Sequence, residues 1–453
     1  MAGIGFQLHK LIEDESFLSK AKAFIFASII TSGPWILSIL CLAFLGFLSG
    51  HFLADNQFAV VNITIVYTFA FSLIITGPIQ FVLTRYLADK EYLKEKERML
   101  SALFSALLLS IFVSLLFTVP WYYHIEGSIA YKVISILLFC IISSIWTMMD
   151  FLSCLKHYQS IVLAFFGGSI LSIILLPFLG QYYGLEGALA GYTLGQAGIL
   201  AFLLISIKRE FSFHGFFNKE YFTYFKGFPY ILFTGLFYNL ALWSDKLIGW
   251  FFYGDPIYGN FRAFTIYDTP VFIAYLSIIP SLAYFMIVSE TRFYLVHRRF
   301  FDSIAKETLY NIQTYKTELI SLLKKSMVQL CLIQLFTSLA GFIFADFIGA
   351  FFNLPPGAVN VLRILFFAAG AQVLFLYIII FMMYFDLSRF SFFIVFIFFL
   401  LNSSTNLMNF YVPVIPIGWP YLLSITLSFV IGCMLLFSLV KDIEIKIFQN
   451  QTD

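Results

Sequence analysis

Between residues 23 and 440 this chain alternates long apolar runs with short polar stretches, and that alternation leaves it few ways to fold. A bilayer core about 30 Å thick takes about 20 apolar residues per helix, and many runs here reach that length. The runs predict spans at 23–49, 58–83, 100–121, 131–152, 159–180, 186–207, 223–252, 263–290, 326–352, 360–385, 389–410 and 419–440. The fold class is therefore an all-α integral membrane protein of about twelve transmembrane helices. Composition agrees: 61% of the 453 residues are hydrophobic and 11% are charged. A soluble domain needs more charge to cover its surface, so most of this one faces lipid.

Several function classes drop out on the same grounds. The net charge of +2 comes from basic residues scattered through short loops, with no Lys/Arg-rich face for nucleic acid. Cys41, Cys140, Cys154, Cys331 and Cys433 are odd in number and widely spaced, which argues against a disulfide framework or zinc site. The histidines show no ligand spacing, and no nucleophile–base arrangement is visible. The expectation is a protein that is not an enzyme and carries no cofactor. The first apolar run is also too long for the h-region of a cleavable signal.

Orientation follows from the basic residues. With the N-terminus inside, only Lys132, Arg262 and Arg363 fall on the outer side and Lys246 within a span; all other Lys and Arg are cytoplasmic. That bias predicts cytoplasmic N- and C-termini and an even number of spans. Residues 1–22 carry Ile4, Leu8, Leu11 and Ile12 at helical spacing, an amphipathic segment on the membrane surface or else a solvent-facing tail.

The chain also looks duplicated. A first six-helix bundle (23–207), a cytoplasmic linker (208–222), a second six-helix bundle (223–440) and a tail (441–453) form the expected organisation. In each half the most basic loop follows the second span, at 84–99 and 291–325. Thr84-Arg85-Tyr86 opens one and Thr291-Arg292-Phe293 the other. Halves with an even number of spans make a parallel internal repeat.

Charges inside spans narrow the candidate site. Each costs about 2.5–3.5 kcal/mol at the bilayer centre on insertion scales, so it should face protein or water. Asp245, Lys246, Arg262 and Asp268 lie at similar depth near the outer ends of spans 7 and 8 and are grouped as one polar cluster. Neighbouring residues point about 100° apart on a helix, so Lys246–Asp268 is the expected pair rather than Asp245–Lys246. The cluster is either a structural ion pair pinning two helices or a lining of the transport path. Gly33, Pro34 and Pro280 weaken helical hydrogen bonding within the membrane and are candidate hinges, or simply tolerated membrane prolines. Gly187, Gly191 and Gly195 form a face that lets another helix come close, through plain packing or a sliding surface. The segment 291–325 carries Phe301, Ile304, Leu309 and Ile312 at helical spacing. It is expected to be helical, with Arg298 and Arg299 as candidate residues for docking a cytoplasmic partner.

Particular residues resemble a known family. Met1-Ala2-Gly3-Ile4-Gly5-Phe6, Ser32-Gly33-Pro34-Trp35, Trp243-Ser244-Asp245-Lys246, and the stretch from Ile266-Tyr267-Asp268-Thr269-Pro270 to Glu290-Thr291 are similar to the PelG family. These are inner-membrane transporters of the Pel exopolysaccharide machinery. The resemblance implies the fold of the multidrug/oligosaccharidyl-lipid/polysaccharide flippase superfamily, with two six-helix bundles around a central cavity. It implies a polysaccharide substrate, N-acetylhexosamine-rich and destined for a biofilm matrix, and a bacterial inner-membrane location. It also implies a cytoplasmic glycosyltransferase and other Pel membrane subunits, one sensing cyclic-di-GMP, as partners alongside membrane lipid. No substrate-contacting residue carries over from it.

The competing reading is an H+- or Na+-coupled exporter of small molecules or lipid-linked oligosaccharides. Coupling needs a carboxylate embedded in the membrane. Span 1 has none, although antiporters of that superfamily commonly carry one there; Asp245 and Asp268 keep the competitor open.

Overall fold

The computed structural model describes residues 17–54, 56–208 and 215–444. Most of the expected surface segment 1–22, residues 209–214 of the linker and the tail from 445 lie outside the described residues. The chain divides into two compact units, Gly33–Phe264 and Met1–Ser32 with Thr265–Asp453.

Helix α1 (Phe17–Leu48) contributes to the first unit from Gly33 on. It is followed there by α2 (Gln57–Tyr92), α3 (Glu97–Tyr123), α4 (Ile129–Cys154), α5 (Tyr158–Lys208), α6 (Lys219–Gly227) and α7 (Pro229–Tyr253). Helix α2 is the centre of this unit and packs on α3, α4, α5 and α7. With no water to satisfy them, hydroxyls act as glue between helices. Ser110 and Thr147 meet at 3.0 Å, Ser114 donates to Ser143 at 2.9 Å, and Thr64 and Tyr131 meet at 2.8 Å.

Helix α5 is 51 residues long, about 76 Å at 1.5 Å per residue, far more than one crossing needs. It is two spans: at Gly184 the backbone leaves the helical region (φ 57°, ψ −133°), a conformation open to glycine, and the chain turns back. The glycine face then closes on the preceding arm. A Cβ on Gly187 would fall 2.1 Å from the Leu179 carbonyl oxygen, and one on Gly191 2.5 Å from that of Leu175. These glycines are a packing seam within one helical hairpin.

After α7 the chain forms a feature the apolar pattern did not predict, a two-stranded hairpin of β1 (Asp255–Tyr258) and β2 (Phe261–Ala263). Asp255 pairs with Ala263 and Pro256 with Arg262, with an irregularity between Pro256 and Tyr258. Gly259-Asn260 is a known two-residue hairpin signal, hidden here inside what reads as a short loop.

The second unit contains α8 (Thr265–Leu276), α9 (Ile279–Val288), a π-helical turn (Ser289–Phe293), α10 (Tyr294–Lys306), α11 (Leu309–Ile343), α12 (Ala345–Phe351), α13 (Ala358–Tyr384), α14 (Ser388–Tyr411) and α15 (Trp419–Lys441). Its centre is α13, which packs on α8, α11, α14 and α15. Two expectations need correcting. The helix that holds the ninth span begins at Leu309, well ahead of 326, and α11 ends at Ile343 before the short α12. The segment 291–325 is helical, but a break at Glu307-Thr308 separates α10 from α11 and resets the periodicity. Leu309 is consequently 61% exposed, while Ile312 is buried.

Among the described residues, ten helices are long and apolar enough to cross a membrane. One of them is the double-length α5. Helix α7, 25 residues long, lies outside those ten and carries two charges in its C-terminal half. Counting α5 twice and adding α7 gives about twelve crossings.

Candidate functional site

Asp245 and Lys246 sit on α7, 3% and 6% exposed. Contrary to the helical-wheel expectation, they pair with each other. Lys246 Nζ lies 3.2 Å from Asp245 Oδ2 and 3.3 Å from Oδ1, and donates to the Leu242 carbonyl at 2.9 Å. It also stands 5.6 Å from the centre of the Trp243 ring. The 100° offset holds for Cβ positions. The four-carbon lysine stem folds back along the helix and cancels it. An ammonium with a carboxylate, a carbonyl and an indole around it is compensated well enough to be buried.

Arg262 is on β2, and its guanidinium donates to the Phe251 carbonyl at 3.2 Å. Its main chain is clamped to α2: the Arg262 N–H donates to Tyr67 Oη at 3.1 Å, and Tyr67 donates to the Arg262 carbonyl at 2.9 Å. The Tyr67 ring stacks on Trp250 at 4.4 Å and meets Phe261 edge-on at 4.8 Å. Hairpin, α7 and α2 are thus locked through one tyrosine. Beside this lock Tyr67, Phe71, Phe117 and Trp121 line a crevice of about 10 Å³, room for one water and no more. Aromatic side chains alone therefore do not make a sugar site there.

Asp268 stands in the first turn of α8, in the second unit, half-buried. Pro280 is the second residue of α9, just past the interruption at Ser277-Ile278. Gly33 and Pro34 lie within the continuous α1, where the division between the compact units falls at Ser32/Gly33. Arg298 and Arg299 are exposed on α10, with Arg298 3.6 Å from Asp302. The same helix is anchored by Phe293 and Phe300, and by His297 Nε2 at 3.1 Å from the Tyr384 carbonyl.

A further cluster on the side expected to be cytoplasmic was not legible beforehand. Lys90, 2% exposed, donates to Glu95 at 2.8 Å and to Glu220 at 2.7 Å, and Arg98 reaches Glu220 at 3.0 Å. Asn218 caps α6 by accepting from the Tyr221 N–H at 3.2 Å and donates to Tyr86 at 2.8 Å. The end of the linker is thereby fastened to α2 and α3. Its only prior signal was an asparagine ahead of a short amphipathic stretch.

A dozen crossings, hydroxyl-bonded helix contacts and glycine seams define a polytopic helical membrane protein. The solved structures agree. The crystal structure of a MATE point mutant superposes with a TM-score of 0.65 at 14% identity, covering 93% of this chain and 96% of that one. "Outward-facing conformation of a multidrug resistance MATE family transporter of the MOP superfamily" gives 0.65 at 15%, covering 94% and 96%. A MOP superfamily transporter from Pyrococcus furiosus gives 0.65 at 14%, covering 93% and 96%. No curated protein matches this sequence. The family described as "PelG: Putative exopolysaccharide Exporter (EPS-E)" matches residues 1–448, and the chain belongs to it.

Proposed function

We propose that this protein passes an N-acetylhexosamine-rich exopolysaccharide across the bacterial inner membrane for a biofilm matrix, with both termini in the cytoplasm. It takes the polymer from a cytoplasmic glycosyltransferase and works beside further Pel membrane subunits, one of them sensing cyclic-di-GMP. The observation that carries this reading is the family match over residues 1–448.

The ion-coupled alternative draws on the multidrug transporters among the structural neighbours. Against it, Asp245 already holds the Lys246 ammonium, so binding a coupling cation there requires displacing a covalently tethered one. The paired site favours a conduit driven by polymer synthesis.

Deleting the gene should abolish secreted polymer, and the purified protein should co-elute with the glycosyltransferase. Arg298→Ala with Arg299→Ala should weaken that co-elution and leave membrane insertion intact, since both side chains are exposed. An isolated protein that moves cationic dyes against a proton gradient, in cells whose polymer export survives the deletion, would establish the alternative.

A further inference from the structure

Both units bury carboxamides, and one in the second has donors to spare. Gln372 on α13 is 8% exposed, and its Oε1 accepts from Tyr421 Oη of α15 at 3.3 Å. Among the described residues its amide nitrogen, with two N–H groups, has no partner. Tyr421 Oη in turn lies 3.3 Å from Tyr275 Oη of α8. Three helices therefore meet in a chain of hydrogen bonds that ends in two unspent donors.

That chain lies beside a place where a span of this unit is interrupted. Helix α8 stops at Leu276, one residue past Tyr275, and the chain resumes its helix at Ile279. Ser277 and Ile278 make tight three-residue bonds, to Ala274 at 3.0 Å and to Tyr275 at 3.2 Å. Pro280 has no N–H to offer the Leu276 carbonyl four residues back. Non-helical backbone at membrane depth is tolerated where it is buried in protein or lines a cavity, and discontinuous helices recur at transporter binding sites. An amide short of protein acceptors is free to donate to a ligand's oxygen. The three groups nearest one another here, an amide and two phenols, are all uncharged. They suit a neutral ligand with a carbonyl acceptor and a ring to lie against tyrosine. Asp268 is seven residues, two helical turns, from Tyr275 on the same face of α8, which would place one carboxylate farther along the same track.

We propose that Gln372, with Tyr421 and Tyr275 at the α8–α9 break, is a subsite of the second unit that binds the acetamido carbonyl of an N-acetylated sugar. Tyr421 orients the Gln372 amide, and the amide N–H groups donate to the sugar's carbonyl oxygen. This rests on the exopolysaccharide reading above and specifies which sugar substituent is recognised.

The test uses the full chain in nanodiscs and two probes, chitotetraose, which carries acetamido groups, and cellotetraose, which does not. Wild type should prefer chitotetraose. Gln372→Leu should weaken chitotetraose about three- to tenfold, one hydrogen bond's worth, and leave cellotetraose unchanged. Gln372→Met, unbranched and of similar length, serves if the leucine variant accumulates poorly, and Tyr421→Phe should give a smaller loss in the same direction. Equal binding of both probes by wild type, no binding of either, or chitotetraose affinity unmoved by Gln372→Leu or Gln372→Met overturns the subsite. The broader reading fails separately, if polymer is still secreted when the gene is deleted.

Discussion

Gly77 of α2 and Gly235 of α7 cross backbone to backbone. A Cβ on Gly77 would lie 2.6 Å from the Gly235 carbonyl oxygen, and one on Gly235 2.5 Å from that of Gly77. Asn239 Nδ2 stands 2.4 Å from the Gly77 Cβ position as well, but both carbonyls are backbone, so the helices themselves must part. Gly77→Ala or Gly235→Ala should cost about 1–3 kcal/mol, the usual range for overpacking. Thermal unfolding in detergent should show both variants destabilised, whereas Gly227→Ala, with open space around it, should melt like wild type.

Breaking the Asp245–Lys246 pair should be more damaging. Removing one partner leaves a buried charge unmet and typically costs about 3–5 kcal/mol. Lys246→Ala and Asp245→Asn should therefore lower the amount of protein in the membrane, and the neutral pair Asp245→Asn with Lys246→Met should recover part of it. If abundance holds in the single variants while secreted polymer is lost, the pair lines the path instead. Asp268→Asn, alone and combined with Lys246→Ala, completes the cycle. Costs that add without interaction would rule out the Lys246–Asp268 pairing expected from sequence.

Glu220 makes stability depend on pH. Its hydrogen bond from Lys90, aided by Arg98, holds the carboxyl below the ordinary glutamate range near 4.5. A group depressed in the folded state stabilises fully above its unfolded pKa and loses that contribution as pH falls through the folded one. Melting temperature should thus drop below about pH 4.5, and Glu220→Gln should flatten that part of the profile while lowering the plateau above it. Glu220 is partly exposed, which keeps the expected difference to a few degrees. A variant with the wild-type acid limb would place the sensitivity elsewhere.

Orientation can be read by cysteine labelling in a cysteine-free background. Asn56, Gly259, Lys94 and Gln313 are all exposed. With both termini inside, an impermeant reagent added to intact cells should modify Asn56→Cys and Gly259→Cys but neither Lys94→Cys nor Gln313→Cys. Labelling at Gln313 would overturn both the orientation and the number of crossings.

The spans were legible because lipid removes the alternatives: a long apolar run must form its own hydrogen bonds, so length and hydropathy settle helix and crossing together. What sequence hid has physical reasons as well. The Asp245–Lys246 pair needs a lysine stem bent back on its own helix, which a wheel diagram treats as a point. Gln372 and Tyr421 are 49 residues apart and belong to no motif; only packing brings them together. The hairpin at 255–263 is too short for periodicity to outweigh the apolar runs on either side. The partner of the glycine seam was equally invisible, because nothing in Gly187-x-x-x-Gly191 says which helix will approach.

The fastening of Lys90 to Glu220 also sets an order of events during synthesis. The two residues are 130 positions apart, and each joins the growing chain from the N-terminal side onward. Until Glu220 has emerged from the ribosome, the Lys90 ammonium has Glu95 as its carboxylate neighbour in this cluster, and the α2–α3 corner lacks its clasp. The first half of the nascent protein is therefore unfinished when its last apolar span leaves the translocon. It matures only once the start of the next segment has emerged, so a ribosome stalled with residue 220 still in its exit tunnel should expose a corner that one stalled after its emergence protects.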